Sequence, residues 1–208
     1  MKVLAGFYIR GFHRLYYHSS VRYDTWILGV PTDKCPLDLW IYQEMIYETK
    51  PDFIIETGTN KGGSALFFAS ICELMGRGQV VTIDIEDYGA PSHPRITKIL
   101  GNSISEEVVK TVEGLVGGKR AMVVLDSAHN KEHVLREMEL YSPFISRGCY
   151  LTVEDTNLNG HPVFPEFGSG PMEAVEEFLR RSGDFAIDSK REKFMLTFFP
   201  NGFLKRIR

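Results

Sequence analysis

Two apolar runs in this chain end in acid. MVVLDSAH carries Asp126 and, three residues later, His129, while YLTVED carries Glu154 and Asp155. Carboxylates gathered at the ends of buried strands repel one another and are costly to desolvate unless a cation sits with them. Three oxygen donors on a rigid edge suit Mg²⁺, which keeps its other positions for water and substrate oxygens, whereas zinc would draw on more His or Cys. Asp126, Glu154 and Asp155 are therefore the candidate metal ligands; the competing role for each is to cap a helix or bind loop amides. His129 sits close enough to share the site, and as a neutral imidazole it suits removal of a proton from a hydroxyl that a metal has made acidic. His161, in a loop, competes for that role, and His133 is expected on the exposed face of its helix.

A second constellation precedes it. IIETGTNKGGS places Glu56 at a strand end, then Gly58, Thr59, Gly62 and Gly63, before a helix that begins near Ser64. Glycines there let the backbone approach a ligand while helix amides point at it. A hydride-transfer fold would show GxGxxG with its acid at the end of the second strand. An acid ahead of the glycines fits a cofactor with a cationic or amino-acid portion better than a pyrophosphate; the alternative is a turn made only for tight packing. Asp84 ends the next strand, where one carboxylate can accept both ribose hydroxyls. Together these residues read as a nucleoside-cofactor site, with Asn102 and Ser103 facing the base or forming a turn.

The elements needed to hold these residues alternate in type from Pro51 onward. Strands are expected at 52–57, 79–84, 96–103, 121–126 and 149–155, with helices at SALFFASICELM, SEEVVKTVEGLV, KEHVLREMELY and GPMEAVEEFLRR. That pattern predicts an α/β fold, a mostly parallel sheet with helices on both faces. Two further strands, 184–189 and 193–200, read as a C-terminal antiparallel hairpin at one sheet edge. TNLNGHPVFPEFGSG, directly after the metal acids, reads as a substrate-binding flap, since long loops without their own structure are usually functional or disordered. Residues 1–50, rich in Tyr, Phe, Trp, Arg and His, form an N-terminal helical or aromatic segment that fits a cap, an oligomer contact or an active-site lid; 51–208 form the main domain.

Composition narrows the partners. A net charge of −3, from 24 basic and 27 acidic residues, gives no footprint for nucleic acid. The three cysteines, Cys35, Cys72 and Cys149, show no CxxC spacing and suit a reducing cytoplasm. No apolar run is long enough for a membrane span, and the N-terminus lacks a signal-peptide pattern.

At the level of whole segments the chain resembles the cephalosporin hydroxylase and rhamnosyl O-methyltransferase family of S-adenosylmethionine-dependent methyltransferases. The resemblance is carried by WILGVPTDKCPLD, YQEMIYETKPDFIIETGTNKGGSALFFA, LDSAHNKEHVLREMELY, VEDTNLNGHPV, GPMEAVEEFL and REKFMLTFFPNGFLKR, nearly the whole sequence. It implies a Rossmann-like class I methyltransferase sheet, with S-adenosylmethionine at the glycine loop and a divalent ion, Mg²⁺, at positions matching Asp126, Glu154 and Asp155. Related sugar O-methyltransferases place a base three residues after the first metal acid, which carries onto His129. With the readings above, the expected cofactor residues are Lys34, reaching the cofactor carboxylate, with Glu56, Gly58, Thr59, Gly62, Ser64, Asp84, Ser103 and Asp126. No HxD or HxE pair suggests an iron oxygenase. The chain starts close to WILGVP, so a longer N-terminal oligomerisation arm is expected to be short here. The expected activity is methylation of a hydroxyl on a small molecule or glycoside by a homo-oligomer. A catalytically silent S-adenosylmethionine-binding partner of another enzyme, and a different nucleotide-dependent enzyme such as a reductase, are the rival readings.

Overall fold

The computed structural model describes residues 2–208. Helix α1 (Lys2–His18) and a 3-10 turn (Ser20–Tyr23) lead into the short strands β1 (Trp26–Ile27) and β2 (Val30–Pro31) and then α2 (Pro36–Thr49). There follow β3 (Phe53–Thr57), α3 (Gly63–Leu74), β4 (Gln79–Asp84), β5 (Ile96–Leu100), α4 (Glu106–Val116), β6 (Ala121–Leu125), α5 (Lys131–Tyr141), β7 (Tyr150–Val153), α6 (Pro171–Arg181), β8 (Phe185–Ile187) and β9 (Phe203–Arg206).

Seven strands form one sheet in the order β5-β4-β3-β6-β7-β9-β8. β3 to β7 are mutually parallel, and β9 runs antiparallel to both β7 and β8. The innermost strands read as they must when covered on both faces: every residue of β6 is buried, as are Ile54 and Ile55 of β3. Right-handed crossovers put α3 on one face with α2, and α4, α5 and α6 on the other. The packing of α2 on α3 and of α5 on α6 agrees with that division. Local signals set the helix starts: Ser105 caps α4 by accepting from the Val108 amide, Asn130 caps α5 by accepting from the His133 amide, and Pro171 opens α6.

The strand order reverses between β3 and β6, and ligands of open α/β sheets bind at such a switch point, outside the carboxyl ends of the strands. The two chains leave the sheet there in intimate contact. A Cβ on Gly58, at φ +88°, would lie 2.0 Å from the Asp126 carbonyl oxygen, so only glycine fits. Packing also explains Gly62 and Gly63, whose added Cβ atoms would meet Ala90 Cβ at 2.6 Å and the Pro31 carbonyl at 2.5 Å.

The C-terminal antiparallel pair is present, but its second strand is β9 and not the expected 193–200. KFMLTFFP is instead an irregular segment with Met195 at φ +66°. It mimics a strand because Leu196, Phe198 and Phe199 are all buried. Their anchor is Asp38, on the first turn of α2, whose carboxylate accepts the Phe198 amide at 2.9 Å. β5, β6 and β7 also end before the predicted strands, leaving Ser103, Asp126, Glu154 and Asp155 just beyond the sheet.

Burial pushes the Asp38 carboxyl up to about 7, against the opposing pull of the Phe198 amide. Its unfolded counterpart titrates near ~3.9, so folding takes up a proton between those values and the associated stability is lost as pH rises through that window. Asp38→Asn keeps an acceptor for the amide and removes the titration. Its unfolding free energy should fall less steeply than wild type between pH 5 and 7, by up to about 1.4 kcal/mol per pH unit. Denaturant melts across that range check this, and parallel slopes would show that Asp38 does not titrate there.

The three cysteines are free and buried. No helix of the described residues is long and apolar enough to cross a membrane.

Candidate active site

A cavity of about 850 Å³ opens at the carboxyl edge of the sheet. At one end Asp84, Ile85, Tyr88, Asn102, Ser103 and His133 line it, from the ends of β4 and β5 and the first turns of α5. Asp126, His129 and Asp155 stand in the middle. The far wall is aromatic, with Tyr17, Tyr23, Phe164, Phe167 and Phe198, joined by Arg22 and Leu158. A recess of about 40 Å³ shares the Gly58 and Asp126 wall and is lined by Lys34, Thr59, Gly62 and Ser64.

Asp126, His129 and Asp155 each offer a ligand atom within 4.8 Å of the others. His129 Nε2 lies 3.3 Å from Asp155 Oδ2. Burial raises the Asp155 carboxyl above its ordinary range, with the Asp126 charge adding and His129 opposing. Asp155 itself is left-handed, at φ +54°. That turn accompanies the placing of its side chain on the cavity wall, which Glu154 does not line.

Glu154 is joined to Asp126 through a lysine and not directly to the cluster. Its Oε2 accepts from Lys34 Nζ at 2.7 Å and its Oε1 from the Tyr42 hydroxyl at 2.7 Å. Lys34 also pairs with Asp126 Oδ2. Burial alone would lower the lysine, but the two carboxylates hold it above its ordinary value and so keep it charged. Of the three expected metal acids, the structure brings Asp126 and Asp155 together with His129, and commits Glu154 to Lys34 and Tyr42.

The other candidates fall in two sets. Asp84 pins the glycine loop, its Oδ2 accepting the Asn60 amide at 2.8 Å, and still edges the cavity. Ser103 is buried, with its hydroxyl 3.1 Å from His133 Nε2. Glu56 lines neither space. It is fully buried beneath the loop, where its Oε2 accepts the Thr82 hydroxyl at 2.7 Å, that hydroxyl lies 2.6 Å from Thr59 Oγ1, and Oε1 has no hydrogen-bond partner among the described residues. Burial pushes the Glu56 carboxyl up to about 7.

Two histidines are placed differently from each other. His133, expected on an exposed face, instead half-buries against Ser103 and the cavity wall, because the first turn of α5 starts at the strand edge. His161 does not line the cavity; its Nε2 is 3.1 Å from Glu173 Oε1. Burial would raise Glu173, but donation from the Gly170 amide, Asn159 and His161 holds it down at about 2, clipping the flap to α6.

The residues least visible in the sequence are Tyr17, Arg22 and Tyr23. Arg22 lies over both rings, 4.1 and 4.2 Å from their centroids. The end of α1 reaches the flap through His13 Nε2, 3.0 Å from Asn157 Nδ2, and through Arg14 Nε, which donates to the Pro162 carbonyl at 3.0 Å. The aromatic and basic enrichment of the first 50 residues was the available signal.

Comparison with known proteins adds to this geometry. A family model described as Rhamnosyl O-methyltransferase/CmcI matches residues 19–207. The Rhamnosyl O-methyltransferase of Mycobacterium leprae is 41% identical over 204 residues, covering 94% of this chain and 89% of the relative. That of Mycobacterium tuberculosis H37Rv is 40% identical over 205 residues, covering 94% and 83%. Among solved structures, cmcI-D160 with Mg and SAM superposes with a TM-score of 0.69 at 21% identity, covering 89% of this chain and 78% of that one. The last similarity bears on the fold, a class I methyltransferase sheet.

Proposed function

We propose that this chain, which belongs to the rhamnosyl O-methyltransferase/CmcI family, is an S-adenosylmethionine-dependent and Mg²⁺-dependent O-methyltransferase acting on a hydroxyl of a glycoside or other small molecule, with rhamnosides as the first acceptors to test. The reading is carried by the meeting of Asp126, His129 and Asp155, ligand atoms within 4.8 Å, on the wall of a cavity large enough for a nucleoside and an acceptor side by side.

The residues present fit both groups. Two carboxylates with an adjacent imidazole suit a divalent cation, and Asp126 and Asp155 would hold it. Asp84 and Ser103 would hold the nucleoside, beside the recess of Thr59, Gly62 and Ser64, while Glu56 supports that loop from beneath through Thr82. When bound, the cofactor supplies the methyl group and the ion raises the acidity of the acceptor hydroxyl.

The chain's own part is positioning and proton transfer. His129 accepts the hydroxyl proton, and Asp155 Oδ2, 3.3 Å from Nε2, stabilises the imidazolium that results. Tyr17, Tyr23, Phe164, Phe167 and Phe198 form an apolar wall suited to the C–H face of a sugar ring, and help to keep water from the reacting atoms. Residues 1–50 act as a cap on the 51–208 domain, since α1 and its 3-10 turn supply part of that wall and grip the flap. The exposed Leu4, Phe7, Tyr8, Phe12 and Leu15 of α1 support a homo-oligomer, and the free, buried cysteines support a cytoplasmic setting.

Calorimetry distinguishes this reading from the others. S-adenosylmethionine and S-adenosylhomocysteine should bind and NAD should not. Tight NAD binding without adenosylmethionine binding would overturn the proposal, while cofactor binding with no methyl transfer to any glycoside would favour the silent partner.

A further inference from the structure

We propose, on the metal-dependent reading above, that the Lys34 ammonium is the resident counter-cation of the acid site, and that a divalent ion gains Glu154 as a ligand only by displacing it. Lys34 Nζ touches Asp126 and lies 2.7 Å from Glu154 Oε2, and its side chain is only 5% exposed. Asp126 thus belongs to two arrangements at once: the pair with Lys34, and the cluster with His129 and Asp155.

A cation held by that cluster would sit beside a buried ammonium on the same carboxylate. Like charges so close, in a site that water screens poorly, cannot both keep full use of Asp126. The lysine is the one that can leave. It stands on the loop between β2 and α2, and its stem already lines the recess formed by Thr59, Gly62 and Ser64. The loop itself is fixed, because Pro31 and Thr32 rest against Gly63 so closely that a Cβ there would lie 2.5 Å from each. Only the flexible side chain needs to move. Freed of Lys34, Glu154 still keeps the Tyr42 hydroxyl on Oε1 and exposes Oε2 toward Asp126. The displaced ammonium remains at the recess, where it favours an anionic group, so metal loading and binding of an anionic ligand there reinforce each other.

The test is Mn²⁺ binding, read by electron paramagnetic resonance, with wild type and Lys34→Met. The variant should bind Mn²⁺ about tenfold or more tightly, within the range of ordinary site-to-site coupling. Equal or weaker binding by the variant would overturn the inference while leaving the metal-dependent reading intact. Failure of wild type to bind Mn²⁺ at all would overturn that reading, and the inference with it. Should Lys34→Met not fold, ¹⁵N-lysine spectra of wild type decide: the ammonium signal of Lys34, assigned by its loss in Lys34→Arg, should move or broaden as Mg²⁺ is added. An unchanged signal, in a titration that shifts the His129 ring resonances, would overturn the inference.

Discussion

Replacing His129 by alanine is expected to lower kcat by about 10²–10⁴-fold, the usual worth of a positioned general base, while leaving cofactor affinity and divalent-ion affinity near wild type. The effect should be this large because no other group on the cavity wall is placed to take its part. His133 is engaged with Ser103, and His161 is held by Glu173 outside the cavity. Asp126 and Asp155 are committed to cation binding in this account. The loss should fall on kcat more than on KM. Because His129 stands within 4.8 Å of both aspartates, the opposite assignment has its own signature. A variant whose metal affinity drops together with kcat would make His129 a ligand and leave the base unidentified.

Asp155→Asn should be the second severe change. Asparagine is the apt substitution, because position 155 is left-handed at φ +54° and Asn tolerates that conformation better than Ala does. The amide keeps the shape but loses the charge, so metal affinity should fall by more than the roughly 10–100-fold lost when a group that merely supports a ligand is removed. The same change withdraws the carboxylate beside His129 Nε2, so activity should not recover fully at saturating Mg²⁺. Glu154→Gln serves as the comparison. If Lys34 and Tyr42 hold Glu154 away from the cation until metal binds, its loss should weaken Mg²⁺ less than the loss of Asp155 does. The reverse ranking, measured by calorimetry, would make Glu154 the principal ligand.

Much of this arrangement was legible in the sequence for a simple reason. A strand buried on both faces is a run of apolar residues, so the first acid after AMVVL or YLTV must lie at the sheet edge. The parallel order then gathers those edges. What periodicity does not carry is direction. Both acids lie past the end of β7, and a left-handed backbone at Asp155, which no periodicity signals, accompanies their serving different neighbours. Lys34 is expected from the sequence to reach a cofactor carboxylate, and the structure pairs it with Asp126 and Glu154. Its pairing with acids 92 and 120 positions away has no local signature.

The C-terminal misreading has the same origin. KFMLTFFP has the composition of a strand, but its apolar side chains are drawn inward by a loop that Asp38 fastens at Phe198, while the strand that pairs with β7 is the plainer FLKR. His133 departs from the exposed helix position expected of it because the cavity opens against the first turn of α5.

Whether this cavity moves a methyl group from S-adenosylmethionine to a hydroxyl with help from a divalent ion is decided by methyl transfer from labelled cofactor to rhamnosides and other glycosides, with and without EDTA. Label should appear in the ether-linked methyl of an acceptor, be lost in EDTA and be restored by Mg²⁺. Full transfer in excess EDTA would contradict this.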